Sequence, residues 1–148
     1  MKRKTIPSKS KYTWIIGIDT GTHTGIALWN RKEKKLVTVE TMPIHRAMDC
    51  VKMLHEVHEN EVMIRFEDAR LRTWFGNADR EVLQGVGSVK RDATIWEAFL
   101  EDNNIPFEPV APKNNKTKLT AGLFRKMTNW KGSADEHGRD AAMLVFNF

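Results

Sequence analysis

Four residues of the 148-residue chain have the types and placement for phosphate chemistry: Asp19, Glu67, His137 and Asp140. Asp19 closes the apolar run of "IIGIDTGTHTGIAL". An unpaired carboxylate at such a buried place is costly unless donors or a cation accompany it. Glu67 closes a second apolar run, "EVMIRFE", with Asp68 beside it. "ADEHGRDAAMLVF" carries His137 and Asp140 at i and i+3, on one face of a helix. Acids gathered at one spot repel each other. Hard oxygen ligands of this kind suit Mg²⁺ or Mn²⁺, which keep waters and substrate phosphates as their remaining ligands. Two such ions about 4 Å apart can activate a water and stabilise the leaving oxygen of a phosphodiester. Asp19 could instead serve as a turn cap.

The elements that must position these residues follow from the hydropathy pattern. Trp14 to Asp19 reads as strand 1, Gly21 to Thr24 as a turn, and Gly25 to Asn30 as strand 2. "NRKEKK" is a hairpin loop. Leu36 to Thr41 reads as strand 3, with Leu36, Thr38 and Glu40 on one face and Val37, Val39 and Thr41 on the other. Ile44, Ala47, Val51, Leu54 and Val57 recur at helical spacing, predicting a helix over 44–59. Strand 4 is Glu61 to Glu67. A helix is expected near Ala78–Asn103, with Val82, Val86, Val89, Ala93, Trp96 and Leu100 as its apolar stripe. Gly85 and Gly87 inside it predict a close approach of another element, or a kink. Pro106 to Val110 reads as strand 5, and 118–128 and 134–146 as helical. Ser133 and Glu136 form an S-x-x-E capping box, so Asp135 and Glu136 are assigned to helix initiation. Asp68 is assigned to a turn or helix cap rather than to the acid cluster.

The order β-β-β-α-β-α-β-α predicts an α/β fold: a mixed five-stranded sheet with helices on both faces. Neighbouring strands 1 and 4 would bring Asp19 and Glu67 together, and the last helix would present His137 and Asp140 to them. Gly21 and Gly25 would allow backbone to approach a phosphate or make the tight turn. His23, between them, is a further candidate for substrate contact.

Charge points to the partner. The chain carries +5 at pH 7. Lys2, Arg3, Lys4, Lys9 and Lys11 precede the first acid, and the rest of the chain is neutral. We expect residues 1–12 to form a flexible basic arm and residues 13–148 a single nuclease domain. A second acid-free stretch, Pro109 to Ala134, holds Lys113, Lys116, Lys118, Arg125, Lys126 and Lys131. Two basic clusters on a neutral body favour a polyanion such as nucleic acid. One cysteine, Cys50, excludes an internal disulfide. No apolar run approaches the roughly 20 residues of a membrane span, and no secretory h-region is visible. The expected location is the cytoplasm.

In this order and spacing, "IIGIDTGTHTGIAL", "IRFEDAR", "KNNKTKL" and "DEHGRDAAMLV" resemble the RuvC family of Holliday-junction resolvases. The likeness runs from Trp14 onward. It implies a ribonuclease-H-like fold, a homodimer, and Mg²⁺- or Mn²⁺-dependent paired nicking of four-way or other branched DNA. By motif, Asp19 and Glu67 would be the first and second metal-bridging carboxylates, completed by His137 and Asp140. Many members carry an acid where this chain has His137, and some carry histidine. Lys113, Lys116 and Lys118 fall in the family's basic segment and would contact DNA near the scissile phosphate. "RLRTWFGNAD" stands where the family has a loop reaching into the junction. Arg72, Trp74 and Phe75 would meet DNA there, the aromatics by wedging or stacking; they could equally cover the core or a dimer seam. The compact size would suit a phage-encoded member.

Other readings share part of this pattern. "GIDTGT" also resembles the phosphate motif of actin-like ATPases and sugar kinases, whose two lobes need a much longer chain. A ribonuclease H would share the metal site but cut RNA in a hybrid, and a YqgF-like protein of RNA processing would share the first motif and the size. A non-catalytic nucleic-acid-binding module would have no need of three repelling acids.

Overall fold

Trp14–Asp19 is a run of apolar and β-branched residues, and it forms β1 at the centre of a five-stranded sheet of order β3-β2-β1-β4-β5. The computed structural model describes residues 11–72 and 80–148, with the backbone alone over 80–86. Trp74, Phe75 and residues 1–10 of the basic arm lie outside the described residues. β1 pairs antiparallel with β2 (His23–Asn30) and parallel with β4 (Val62–Glu67). β3 (Lys35–Pro43) runs antiparallel along β2, and β5 (Phe107–Val110) parallel along β4. The remaining elements are α1 (Ile44–Val57), α2 (Arg80–Asp102), α3 (Ala121–Thr128) and α4 (Glu136–Met143). This is the mixed α/β architecture expected from the sequence, with both terminal helical segments following β5.

The period of two along the strands divides the core between two faces. Ile16, Ile18, Ile26, Leu28, Ile64 and Phe66 meet α1 through Ala47 and Val51, and α2 through Ala93, Trp96 and Leu100. Ile15, Ala27, Trp29, Val39 and Met63 meet Phe124 of α3 and Ala141 and Ala142 of α4. Both faces are therefore covered by helices. No helix among the described residues is long and apolar enough to cross a membrane.

Several local expectations are corrected. β2 begins at His23, so the turn is shorter than the predicted Gly21–Thr24. The register of β3 against β2 shifts between Leu28 and Trp29. This places Leu36 in the same buried cluster as Val39 and leaves Val37 exposed, breaking the simple alternation. Val57, at the end of its stripe, and Val89, in the middle of its own, are read as core positions but are exposed. A Cβ at Gly87 would meet nothing, so no close approach occurs there. Tyr12, grouped with the basic arm in the sequence, is buried among the core residues, and its carbonyl accepts from Arg31.

Candidate active site

The parallel pairing of β1 with β4 sets Ile18 beside Phe66, so the next residues, Asp19 and Glu67, emerge together at the carboxyl ends of adjacent strands. Both follow from the apolar runs before them: the strands end where the sequence turns polar. Asp68 does not join them. It is buried, its Oδ1 accepts from the Arg70 backbone N–H and Nε, and its Oδ2 accepts from Arg70 Nη2. Arg70 also pairs with Glu97 of α2. Asp68 is thus a structural cap, as its position suggested.

Helix α4 lies on the same face of the sheet as Asp19 and Glu67. Two glycines make its approach possible. A Cβ on Gly17 would collide with the Ala141 carbonyl, and one on Gly25 with the His137 carbonyl. Gly25 pairs directly with Asp19 across β2 and β1. The amino end of α4 is therefore seated over the carboxyl end of β1. The glycine motif serves this helix–sheet contact at Gly17 and Gly25. The helix is pinned at both ends. Asp135 caps it, accepting from Gly138 N–H (3.0 Å), and also accepts from Thr41 of β3. At the other end Arg65 Nε donates to the Leu144 carbonyl (2.8 Å), while its guanidinium pairs with Glu108 and lies 3.9 Å from the Phe148 ring centroid. The cap is Asp135, not the predicted Ser133–Glu136 box, because the helix starts at Glu136.

This docking places His137 Nδ1 3.0 Å from Asp19 Oδ2; the Nδ1–H tautomer donates to the carboxylate. The ring of His23, at the start of β2, stands 6.4 Å from that of His137. Asp140 is buried, and its Oδ1 accepts from the Lys118 backbone N–H (2.9 Å). Lys118 precedes α3 rather than opening it, and holds a left-handed backbone (φ 58°). A lysine in that conformation is uncommon, and here it aims the amide at Asp140.

Asp19 and Glu67 both feel the charge of Asp140. Burial, with smaller contributions from Asp140 and Glu67, pushes Asp19 up to about 7 against the pull of His137. Burial and Asp140 raise Glu67, opposed by Asn115 and Arg72. Burial raises Asp140 above the usual carboxylate range, and Glu136 adds to this, against the Lys118 amide. Among the described residues no three acid, histidine or cysteine side chains converge tightly enough to chelate one ion. Asp19 is instead turned to His137 and Glu67 to Asn115. The donor set nevertheless fits a hard divalent cation. It is oxygen-rich, and a cation would offset the burial that raises all three carboxyls and the repulsion that adds to it at Asp19 and Glu67.

Asn115 is the site residue that sequence reasoning missed. Its Nδ2 donates to Glu67 Oε2 (3.1 Å) and to the Asp140 carbonyl (3.3 Å). It lies within "KNNKTKL", among lysines, in a segment with no periodic pattern. Lys113, Lys116 and Lys118 are exposed along this same segment, and Arg72 is exposed just beyond β4.

No protein-family model matches the chain, and no curated protein matches it in sequence. Solved structures do match in fold. T. thermophilus RuvC in complex with Holliday junction substrate superposes with a TM-score of 0.59 at 16% identity, over 92% of each chain. The fowlpox virus Holliday junction resolvase gives 0.49 at 12% identity, over 88% of this chain and 94% of that one. The large terminase nuclease from thermophilic phage G20c with bound zinc gives 0.42 at 14%, over 80% of this chain and 56% of that one.

Proposed function

We propose that this chain, whose fold is ribonuclease-H-like, is a metal-dependent endodeoxyribonuclease that cleaves four-way or other branched DNA junctions by paired nicks. The observation that carries the reading is that α4, packed across β3, β2 and β1, brings His137 and Asp140 beside Asp19 and Glu67 at the adjacent ends of β1 and β4. The likeness in fold to RuvC solved on a Holliday junction supports the choice of DNA substrate.

Asp19, Glu67 and Asp140 would hold Mg²⁺ or Mn²⁺, two ions in the full site, with His137 completing it. Such ions supply Lewis-acid activation of water and neutralise charge on the phosphate during in-line displacement. The chain's own residues supply the frame. The Gly17 and Gly25 contacts fix α4, and with it Asp140, relative to Asp19. His137 donates through Nδ1, which fixes its ring and leaves Nε2 for the metal or a group beside it. The Lys118 amide holds Asp140 by one oxygen. Lys113, Lys116, Lys118 and Arg72 would bind the backbone phosphates around the scissile bond. Trp74 and Phe75 would stack or wedge at the branch point. Paired nicks need two sites, so the active species is a homodimer working on DNA in the cytoplasm.

The test is cleavage in Mg²⁺ or Mn²⁺ of labelled four-way junction, linear duplex and RNA–DNA hybrid, side by side. Symmetric nicks confined to the junction support the proposal. Cleavage of the hybrid would make the protein a ribonuclease. Junction binding without cleavage in either metal would make it a binding module.

A further inference from the structure

We propose that Asn115 is a positioning residue of the carboxylate site. In this view it sets Glu67 for a divalent cation, and its side-chain oxygen accepts a hydrogen bond from the water such a cation brings. The inference rests on the metal-dependent reading above and adds a residue to it.

The orientation of the amide is fixed by its partners. A backbone carbonyl only accepts, so the atom that faces the Asp140 carbonyl must be Nδ2. The same Nδ2 reaches Glu67 Oε2, which commits both of its hydrogens. One side chain thereby ties the end of β4 to the backbone of α4. Three residues later the Lys118 amide grips the Asp140 carboxylate itself. The loop between β5 and α3 thus holds acids from two different elements.

Oδ1 is left over. It is buried, and no described group donates to it. An orphaned buried acceptor is costly to leave unmade. A simple loop staple would have no reason to keep it. A donor that arrives with the bound ion accounts for it, because cations of this class retain water ligands. Residues that orient metal ligands in this way typically change metal affinity by about 10–100-fold when removed.

Calorimetric titration of Mn²⁺ into the metal-free full-length protein tests this. The set is wild type, Asp19→Asn, Asn115→Ala and Asn115→Ser, each checked for folding by circular dichroism. We expect Asn115→Ala to bind Mn²⁺ about 10–100-fold more weakly than wild type. Junction affinity in chelator should be unchanged, and cleavage should return at raised Mn²⁺. Asn115→Ser keeps a short donor and should fall between the two. If Asn115→Ala does not fold, the comparison of Asn115→Ser with wild type carries the test. Wild-type affinity in both Asn115 variants, with Asp19→Asn impaired, would overturn the role of Asn115 alone. Absence of Mn²⁺ binding by wild type would overturn the metal reading and this inference with it.

Discussion

His137 Nδ1 lies 3.0 Å from Asp19 Oδ2, although 118 positions separate the two residues in the chain. The contact exists because Gly25 opposite Asp19 has no side chain, which lets the α4 backbone settle against the sheet at His137.

Asp19 should weaken the metal-free fold at neutral pH. Its folded value, about 7, lies above its ordinary 3.8. The folded state therefore binds more protons, and stability falls as pH rises from about 4 to about 7. Asp19→Asn removes this penalty. It should raise the stability of the metal-free protein at pH 8 by about 1–3 kcal/mol, partly offset by the altered bond to His137. Thermal unfolding of both proteins from pH 5 to 8 checks it. A variant that is less stable than wild type at pH 8 would contradict the burial argument.

Divalent ions should reverse the same penalty. Mn²⁺ at a hundredfold its dissociation constant should stabilise wild type by about 2.7 kcal/mol. Asp19→Asn should gain much less. Equal shifts in Tm for the two proteins would place the ion elsewhere.

The glycine contacts can be probed directly. Gly25→Ala and Gly17→Ala force α4 off the sheet, since the obstacle is backbone rather than a flexible side chain. Each should cost about 1–3 kcal/mol, at the upper end of that range. Each should also reduce cleavage by moving His137 and Asp140 away from Asp19. Gly87→Ala is the control. Its Cβ meets nothing, so it should stabilise α2 by up to about 1 kcal/mol. Denaturant unfolding separates these outcomes; a harmless Gly25→Ala would refute the docking account.

The lysines should act through charge. Lys116→Ala and Lys118→Ala should each weaken binding to all junction sequences alike and lower the salt slope of log K by about 0.9. Titration at several salt concentrations measures this. An unchanged slope would remove the lysine in question from the interface.

Much of the fold is legible because strong periodic runs end in polar residues: the run Trp14–Asp19 is β1 to the residue, and Glu61–Glu67 matches β4 to within one. The nearness of Asp19 and Glu67 follows from the adjacent strand ends, and the placement of His137 and Asp140 one turn apart from helical spacing. Other features depend on tertiary contacts that no local pattern carries. The bulge opposite Leu28 moves Leu36 into the core. Asp135 takes the place of the Ser133–Glu136 capping box because the helix starts at Glu136, and Thr41 of a distant strand also donates to it. Asn115 has no periodic signature, and its role depends on β4 and α4 meeting at its amide.

The most direct measurement is junction binding and junction cleavage by Asp19→Asn beside wild type, in Mg²⁺ and in Mn²⁺. We predict wild-type affinity for the four-way junction and loss of cleavage by about a hundred- to a thousandfold, the scale of removing a group that stabilises transition-state charge. Cleavage by Asp19→Asn at the wild-type rate would show that the carboxylates beneath α4 are not the active site.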